Sequence, residues 1–458
     1  MISHESGLVN FVPVTFTTES CKKVKEPPLS IYLSIYRKIG ILVLISLSVL
    51  ISFKANKHPE NQIWSDMEGY YVYLPSVFIY GDFVKEAVRD TGYIKPYKGT
   101  DKIYTKYTCG VAIMEMPFFL ISHAFSKVFG WPVDGKSSAY GRALTMAGLF
   151  YMWLGMYFLF RLGSRYFTRR SVVLSLGGLL LGTNLYYYTF FQPAMSHVFS
   201  FCLFAAFLLM TDTLVVRSSR SVSESSPSAW GLYGFVLGMI ILIRPTNALL
   251  VLWPIYIWYK SCPDKPAWLL SHMYLLMAAA LFMLIPFIPQ LLYWKYISGD
   301  WIIWSYEGES FKYWKEPKLF RVLFDAWNGW ILYSPVVVLP LYFLWKGRHS
   351  NVYFERGTIW IFAIATWLFA SWWAWWFGGA FGHRSYVEYY ALLLVPFAGI
   401  TNRWMEKKQS AWIFAVVVAL FCYYSLGLTY AYRPPWDGDA WTYANLWHEI
   451  RKLLFIDS

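Results

Sequence analysis

The amino-acid sequence predicts an all-α fold, a polytopic transmembrane helical bundle of about eleven spans with a large first extracytoplasmic loop that carries interfacial helices. Of its 458 residues, 57% are hydrophobic and only 15% are charged, whereas roughly a quarter of the residues in a soluble domain are charged. Apolar runs long enough to cross a bilayer recur along the whole chain. Most lysines and arginines lie between these runs. Cytoplasmic loops therefore explain the net charge of +13, and no nucleic-acid partner is expected.

We expect residues 1–38 to form a cytoplasmic leader, because this stretch is polar and carries several lysines and arginines. The first apolar run, Ile39 to Phe53, is followed by no small-residue cleavage pattern, so we interpret it as an uncleaved signal anchor. Residues 54–137 then form the first outer loop. Its apolar piece Val111–Phe129 is long enough to span, but a span would turn the arginine cluster at 161–170 outward. We therefore expect an interfacial helix there.

The later spans alternate across the membrane and, with the first, complete a transmembrane domain over residues 39–430. The sequence "RPTN" (244–247) interrupts the apolar run 229–259, because proline removes a helix donor. One kinked span would place the later basic loops outside, so we interpret this run as a hairpin of two short helices with Arg244 at its outer tip. The other predicted spans cover 138–160, 171–188, 195–216, 268–296, 329–346, 355–376, 385–400 and 411–430, with a second large outer loop at 297–327 and an extracytoplasmic tail at 431–458.

This topology gathers unusual polar residues on the outer face of the membrane. Arg244 lies in an apolar stretch, where a charge is expensive unless it has a partner or lines a polar cavity. Arg384 lies at a helix start, and the planar fork of arginine suits a phosphate. Solvated loop charge is the ordinary alternative for Glu307, and a structural hydrogen-bonded histidine is the ordinary alternative for His197. The pattern predicts an active or binding site at the outer membrane–water boundary. Its candidate residues are Asp66, Glu68, Tyr70, Tyr71, His197, Arg244, Glu307, His383, Arg384 and Glu388.

Four segments carry a family resemblance: "SDMEGYYVYLP" (65–75), "KYTCGVAIMEMPFFLISHAF" (106–125), "RPTN" (244–247) and "FGGAFGHRSYVEYYALLLVP" (377–396). With the long first loop, they resemble the GT-C superfamily of integral membrane glycosyltransferases, especially the protein O-mannosyltransferase and aminoarabinose-transferase branch. The resemblance covers most of the chain as an architecture. It departs from the family at Met67, which interrupts the adjacent Asp-Glu pair that the family commonly shows in this loop.

The resemblance implies transfer of a sugar from a polyprenyl-phosphate carrier to an acceptor hydroxyl outside the cytoplasm, with Asp66 as the catalytic residue. We expect Asp66 to act as general base in an inverting displacement, and Glu68 to orient the acceptor or hold a cation. A divalent metal is compatible with two carboxylates, and no other cofactor is expected. The donor phosphate would bind Arg384, Arg244 and His383, and the substrates would contact Tyr70, Tyr71, His197, Glu307 and Glu388.

The expected partners are membrane lipid, the polyprenyl-phosphate-linked sugar and a glycan, lipid or protein acceptor. The expected location is a bacterial inner or plasma membrane, with the active site on the periplasmic or extracytoplasmic face. Two alternatives stay open. An O-antigen ligase or polysaccharide polymerase would carry its decisive residues in a late outer loop, but 297–327 is shorter than the first loop. A transporter or lipid-linked-sugar flippase often has broken helices in both halves, and only one break is evident here.

Overall fold

The computed structural model describes residues 31–84, 93–217, 226–262, 264–346, 353–432, 436 and 440–456. The chain divides into two compact units, Met1–Ser48 and Val49–Ser458. The described part of the first unit is helical and belongs to α1 (Ile31–Ala55). The predicted leader 1–38 therefore lies largely outside the described residues, and its last eight residues already belong to this helix. Everything that follows concerns the second unit.

Residues 54–137, which the sequence predicts to form the first outer loop, contain several helices and a short β-hairpin. After a 3-10 turn (Pro59–Gln62) come α2 (Ser65–Tyr71), α3 (Tyr73–Pro75) and a π-helical turn (Ser76–Tyr80). Strands β1 (Ile94–Pro96) and β2 (Ile103–Thr105) pair in antiparallel register, and α4 (Gly110–Phe129) follows. The sequence analysis did not predict the hairpin, because each of its strands is only three residues long.

The rest of the second unit is a helical bundle. Its first half comprises α5 (Ser138–Gly163), α6 (Arg169–Leu181), α7 (Leu185–Phe190), α8 (Ser196–Thr211) with a π-helical end (Asp212–Arg217), α9 (Pro227–Ile243), a 3-10 helix (Pro245–Val251) and α10 (Leu252–Ser261). Its second half comprises α11 (Lys265–Leu284), α12 (Phe287–Ser298), α13 (Leu319–Phe324), α14 (Trp330–Tyr333), a 3-10 turn (Pro335–Val337), α15 (Val338–Lys346), α16 (Tyr353–Ser371), a 3-10 turn (Arg384–Tyr386), α17 (Tyr390–Trp404), α18 (Lys408–Ala431) and α19 (Tyr443–Leu453).

Among the described residues, five helical segments are long and apolar enough to cross a membrane: Gly110–Phe129, Ser138–Gly163, Ser196–Val216, Lys265–Ser298 and Lys408–Ala431. Shorter apolar helices occur at Ile39–Ala55, Pro227–Ile243, Pro335–Lys346 and Gly357–Ser371. The chain is thus a helical membrane protein by length and composition, and the count of eleven spans stays a prediction. The same holds for the interfacial position of α4, whose length also fits a span. The predicted tail 431–458 contains a helix, α19, that the sequence analysis did not identify.

The chain reverses direction at "RPTN", as predicted. Helix α9 ends at Ile243, and Pro245 begins the 3-10 helix that leads into α10. The ring of Trp230, in the first turns of α9, lies 6.2 Å from that of Trp268. The ring of Trp258, near the end of α10, lies 6.0 Å from that of Trp268 as well. The start of α9 and the end of α10 therefore meet beside α11, so Arg244 lies at the tip of a hairpin of two short helices.

Helix α8 separates two polar clusters at opposite ends of the bundle. At one end His197 lies in its first turn, and at the other Asp212 follows its last residue, about 22 Å away along the axis at the rise of an α-helix. Arg165 pairs with Asp212, which also accepts a hydrogen bond from the Tyr166 hydroxyl. The arginine-rich end of α5 therefore lies at the end of α8 opposite His197, as the predicted topology requires.

Candidate functional site

A cavity of about 230 Å³ opens at the end of the bundle where α8 begins and α9 ends. Six parts of the chain form its walls: the start of α2, residues 106–107, His197 at the start of α8, the tip at 243–246, the loop at 304–311, and residues 368–384. The lining includes three cations and two carboxylates among the described residues: Lys106, Arg244, Arg384, Asp66 and Glu309. Six of the predicted site residues lie in or directly behind it: Asp66, Tyr70, His197, Arg244 and Arg384 line it, and Glu388 supports Arg244 from behind.

Asp66 has a partner on each of its carboxylate oxygens. Arg384 Nη2 lies 2.8 Å from Oδ2. The Tyr107 hydroxyl donates a hydrogen bond to Oδ1. The three residues come from separate parts of the chain, and the ion pair joins the first outer loop to the turn before α17. The predicted proximity of Asp66 and Arg384 is therefore present in the structure.

The local sequence holds Asp66 at the cavity through an unusual backbone conformation. Ser65, which precedes it, has φ of 54°, a left-handed value that is uncommon for a residue with a side chain. Phe377, which lines the cavity, has φ of 56°. Such conformations cost free energy and cluster at binding and catalytic sites. Ser65 directly precedes Asp66 and Phe377 lines the cavity, and this placement supports a functional role for it.

Two opposing effects set the pKa of the Asp66 carboxyl. Burial by itself raises the pKa, because it disfavours the charged form. The Arg384 guanidinium, the Tyr107 hydroxyl and the Lys106 ammonium outweigh burial and hold the pKa below its ordinary value. Asp66 is therefore an ionised carboxylate near neutral pH, with its basicity weakened by its partners.

Arg244 is held by a buried polar cluster on the other side of the cavity. Its Nη1 lies 3.0 Å from Glu388 Oε1 and 3.2 Å from His197 Nδ1. Its Nη2 donates to the Ser385 hydroxyl at 3.2 Å. His197 Nδ1 also lies 3.1 Å from Glu388 Oε2. Glu388 is fully buried and lies outside the cavity lining, where it positions Arg244, and its contact with a substrate stays a prediction.

The turn before Arg384 is fixed by a side chain from the neighbouring loop. The Asn328 amide donates to the carbonyl oxygens of Trp376 and Gly378 at 3.0 and 3.2 Å. Gly378 and Gly382 have φ of 73° and 62°, which glycine adopts readily. The glycines of "FGGAFGHR" thus allow a tight turn that carries Phe377 into one wall and Arg384 toward Asp66.

Lys106 and Glu309 form a second ion pair across the cavity, and the sequence analysis did not identify either as a site residue. Their charged atoms are 2.5 Å apart. Lys106 begins the "KYTCG" segment, and its ammonium lies 5.6 Å from the centre of the Tyr306 ring. The pair joins the first outer loop to the loop at 297–327. Only the position of Lys106 inside a motif set it apart from other loop lysines.

Aromatic side chains form much of the remaining wall of the cavity. The Tyr70 and Tyr107 rings contact each other at 4.4 Å between centres. Phe311 packs edge-on against Trp372 at 5.0 Å. Other rings in the lining belong to Trp304, Tyr306, Phe369 and Phe377. A polar floor with aromatic walls fits a ligand that combines charge with a flat, less polar face.

Besides Glu388 and His383, three predicted site residues lie outside the cavity lining. The Tyr71 hydroxyl donates to the Gly135 carbonyl oxygen at 2.7 Å, so the ring is part of the core. Glu307 is exposed and lies 3.7 Å from Lys98. Glu68 is buried on α2 two residues beyond Asp66, a spacing that directs side chains to different helix faces. The structure therefore does not bring Tyr71, Glu307 and Glu68 into the cavity lining, and their roles stay predictions.

His383 was predicted to help bind a phosphate, and its environment does not suit that role. The imidazole is buried outside the lining, and its Nε2 lies 3.0 Å from the Trp375 carbonyl oxygen. Burial lowers the pKa of His383 to about 3, with Arg244 and Arg384 acting in the same direction. The neutral imidazole cannot supply positive charge to an anion.

Among the residues that the structure describes, no group of three or more histidine, cysteine, aspartate or glutamate side chains could hold a metal ion. Asp66 and Glu68 do not share the cavity, so they are not a common pair of ligands there. A divalent metal at this site stays a prediction.

Comparisons with protein-family models, with curated proteins and with solved structures found no match for this chain.

Proposed function

We propose that the protein is a membrane glycosyltransferase that moves a sugar from a polyprenyl-phosphate-linked donor to an acceptor hydroxyl. The observation that carries the proposal is the cavity in which the Asp66 carboxylate lies beside the cations Arg384, Arg244 and Lys106. A carboxylate can take a proton from a hydroxyl. Cations stabilise a phosphate that leaves with negative charge. This combination in one site at the end of a membrane bundle supports transfer from a lipid phosphate.

The proposed step is a single displacement at the anomeric carbon. The acceptor oxygen forms a bond to that carbon while Asp66 takes the hydroxyl proton. The bond between the anomeric carbon and the phosphate oxygen breaks, and the phosphate leaves with the electron pair as polyprenyl phosphate. Attack opposite the leaving group inverts the configuration. Arg384, Arg244 and Lys106 would hold the phosphate, and the Tyr70, Tyr306 and Trp372 rings would contact the sugar.

The bundle supports an extracytoplasmic position for this chemistry. The cavity lies at the His197 end of α8, and the arginine-rich end of α5 contacts the other end through Arg165 and Asp212. Basic clusters favour the cytoplasmic side. The donor's polyprenyl chain would stay in the bilayer while its phosphate reaches the cavity at the outer boundary. In a bacterium this is the periplasmic or outer face of the inner or plasma membrane.

The position of Asp66 also distinguishes the proposal from its rivals. An O-antigen ligase or polysaccharide polymerase would rely on a late outer loop, and here the 304–311 loop supplies one charged residue, Glu309, while the first loop supplies Asp66 and Lys106. A transporter or flippase needs no ionised carboxylate beside a phosphate-binding cation. The cavity's acid–cation pairing therefore favours an enzyme.

The test is release of lipid phosphate by the purified protein in nanodiscs supplied with polyprenyl-phosphate sugars and candidate acceptors. We expect release by the wild type and none above background by Asp66→Asn. Asp101→Asn, which changes an exposed carboxylate of the same outer loop, is the matched control and should keep wild-type activity. Near-wild-type release by Asp66→Asn would remove the mechanism. Movement of the donor across the bilayer without release would indicate a carrier.

A further inference from the structure

We propose that Arg384 masks the Asp66 carboxylate until the donor phosphate draws the guanidinium away, so that the lipid donor binds before the acceptor. This inference rests on the proposed function and adds an order of events to it. Arg384 would then have two alternating anionic partners, the Asp66 carboxylate and the phosphate. Asp66 would become a competent base only in the second state.

The first argument is that every cation of the described lining already has a carboxylate partner. Arg384 pairs with Asp66, Arg244 with Glu388, and Lys106 with Glu309. Arginine and ammonium groups bind phosphate through the same donors that hold these carboxylates. A phosphate that binds a donor already engaged by a carboxylate, such as Arg384 Nη2, therefore competes with that carboxylate for it.

The second argument excludes the Arg244–Glu388 pair and leaves two accessible pairs, Arg384–Asp66 and Lys106–Glu309, the latter with side chains that are 33% and 19% exposed. Glu388 is fully buried and is held by both Arg244 and His197, so it cannot move aside without losing two partners. The Asp66 and Arg384 side chains keep 14% and 19% of their surface exposed and both line the cavity. Their pair is therefore accessible to an anion, and the Tyr107 hydroxyl remains on Oδ1 to hold Asp66 after Arg384 has left.

The third argument comes from the chemistry of transfer. A carboxylate that holds a guanidinium at 2.8 Å is a weaker base, because a proton arriving on it meets the repulsion of the cation. The same guanidinium is needed on the phosphate, where negative charge develops as the bond to the sugar breaks. One movement of Arg384 therefore strengthens the base and stabilises the leaving group. It also prevents deprotonation of a hydroxyl or water before a donor is in place.

The experiment is a double-mutant cycle read by binding. Polyprenyl phosphate, the product that carries the phosphate and the lipid chain, is titrated into nanodisc-held wild type, Asp66→Asn, Arg384→Gln and the double variant. We expect Asp66→Asn to bind it about tenfold more tightly than the wild type, since Arg384 no longer has a competing anion. Arg384→Gln should bind it about tenfold more weakly. In the Arg384→Gln background, Asp66→Asn should have less than about a threefold effect.

The double-mutant cycle distinguishes the transfer of Arg384 from Asp66 to the phosphate from simple repulsion between Asp66 and the phosphate. Repulsion alone would give the same tightening with and without Arg384, and that result would overturn the inference. Equal affinity of wild type and Asp66→Asn would overturn it as well, while leaving the proposed function intact. If the wild type bound no polyprenyl phosphate, the proposed function itself would fail. Glu449→Gln, which removes the carboxylate of the Glu449–Lys452 pair on α19, is the matched control and should leave the affinity unchanged.

Discussion

Gly69 and the ring of Tyr107 are so close that a β-carbon on Gly69 would lie 2.4 Å from Cδ2 of the tyrosine and 2.8 Å from Thr105 Oγ1. Gly69 follows Asp66 by three residues on α2, so both face the same side of the helix. Because Gly69 has no side chain, the Tyr107 ring can pack against α2, and its hydroxyl can bind Asp66. The glycine of "SDMEGYY" is therefore part of the arrangement that orients the acid.

Gly69→Ala is expected to reduce transfer by about 100-fold, the loss that a misplacement of about 1 Å can cause at a reacting group. The clash involves a tyrosine ring, which can rotate away more easily than backbone. The ring's displacement would remove the hydrogen bond to Asp66 while the helix stays folded. Activity measured as lipid-phosphate release, together with the apparent Tm in detergent, checks both parts of this expectation.

Gly177→Ala on α6 is the matched control for that substitution, because no atom lies within 4 Å of the added carbon. It should keep both activity and Tm. If Gly69→Ala were as active as Gly177→Ala, Tyr107 would have no role in orienting Asp66. If it unfolded, the glycine would be a packing requirement of the first loop.

The sequence pattern predicts the long helices well, because hydrophobic periodicity and length are local properties. Helices α5, α8 and α18 lie where the apolar runs are, and Pro245 breaks the chain at the predicted place. The pattern does not predict short elements, because their structure is not set by a local property. The three-residue strands at 94–96 and 103–105 and the helix in the tail carry too little apolar sequence to be recognised, and contacts with the rest of the protein decide their structure.

One part of the candidate site was predictable because a charge in an apolar run is costly. Arg244 in an apolar run needs a partner, and the structure provides Glu388. Glu309 had no such signal, since it lies with Glu307 in an irregular loop and packing turns it toward Lys106. Tyr107 reaches Asp66 from 41 residues away, and no sequence period connects positions at that distance.

Glu388→Gln is expected to destabilise the protein by roughly 3–5 kcal/mol, the usual cost of leaving a buried charge without its partner. Glu388 is fully buried, and its oxygens lie near Arg244 and His197. Removing both charges in Arg244→Gln/Glu388→Gln should recover part of the loss, since no unpaired guanidinium remains. Thermal unfolding in detergent measures both variants.

The stability of the double variant distinguishes two roles for Glu388: stabilising the fold by itself, or holding Arg244. If the double variant were less stable than Glu388→Gln alone, the carboxylate would stabilise the fold independently of Arg244. If it were more stable yet bound polyprenyl phosphate as weakly as Arg244→Gln alone, Glu388 would act only by holding the guanidinium toward the cavity. The second outcome is the one expected from the contacts.

The pH profile of transfer should show an Asp66 pKa that depends on Arg384. The Arg384 and Tyr107 contacts hold the pKa of Asp66 below its ordinary value despite burial. The acid limb of kcat/KM, which reports the free enzyme, should therefore lie below about pH 4. In Arg384→Gln the cation is gone and burial remains, so the same limb should move upward. An acid limb at the same pH in both enzymes would mean that Asp66 is not the group that titrates.

Buried His383 should make the protein less stable in mild acid. Burial lowers its pKa to about 3, whereas an unfolded histidine titrates near 6.5. The neutral form is therefore favoured by folding, and its contribution to stability is complete above about pH 6.5 and is lost as the pH falls toward 3. At pH 5.5 the loss is about 1.4 kcal/mol. The apparent Tm of the wild type should fall between pH 7.5 and 5.5 by more than that of His383→Gln, whose amide can still donate to the Trp375 carbonyl oxygen. An equal fall in the two proteins would show that His383 is not buried in its neutral form.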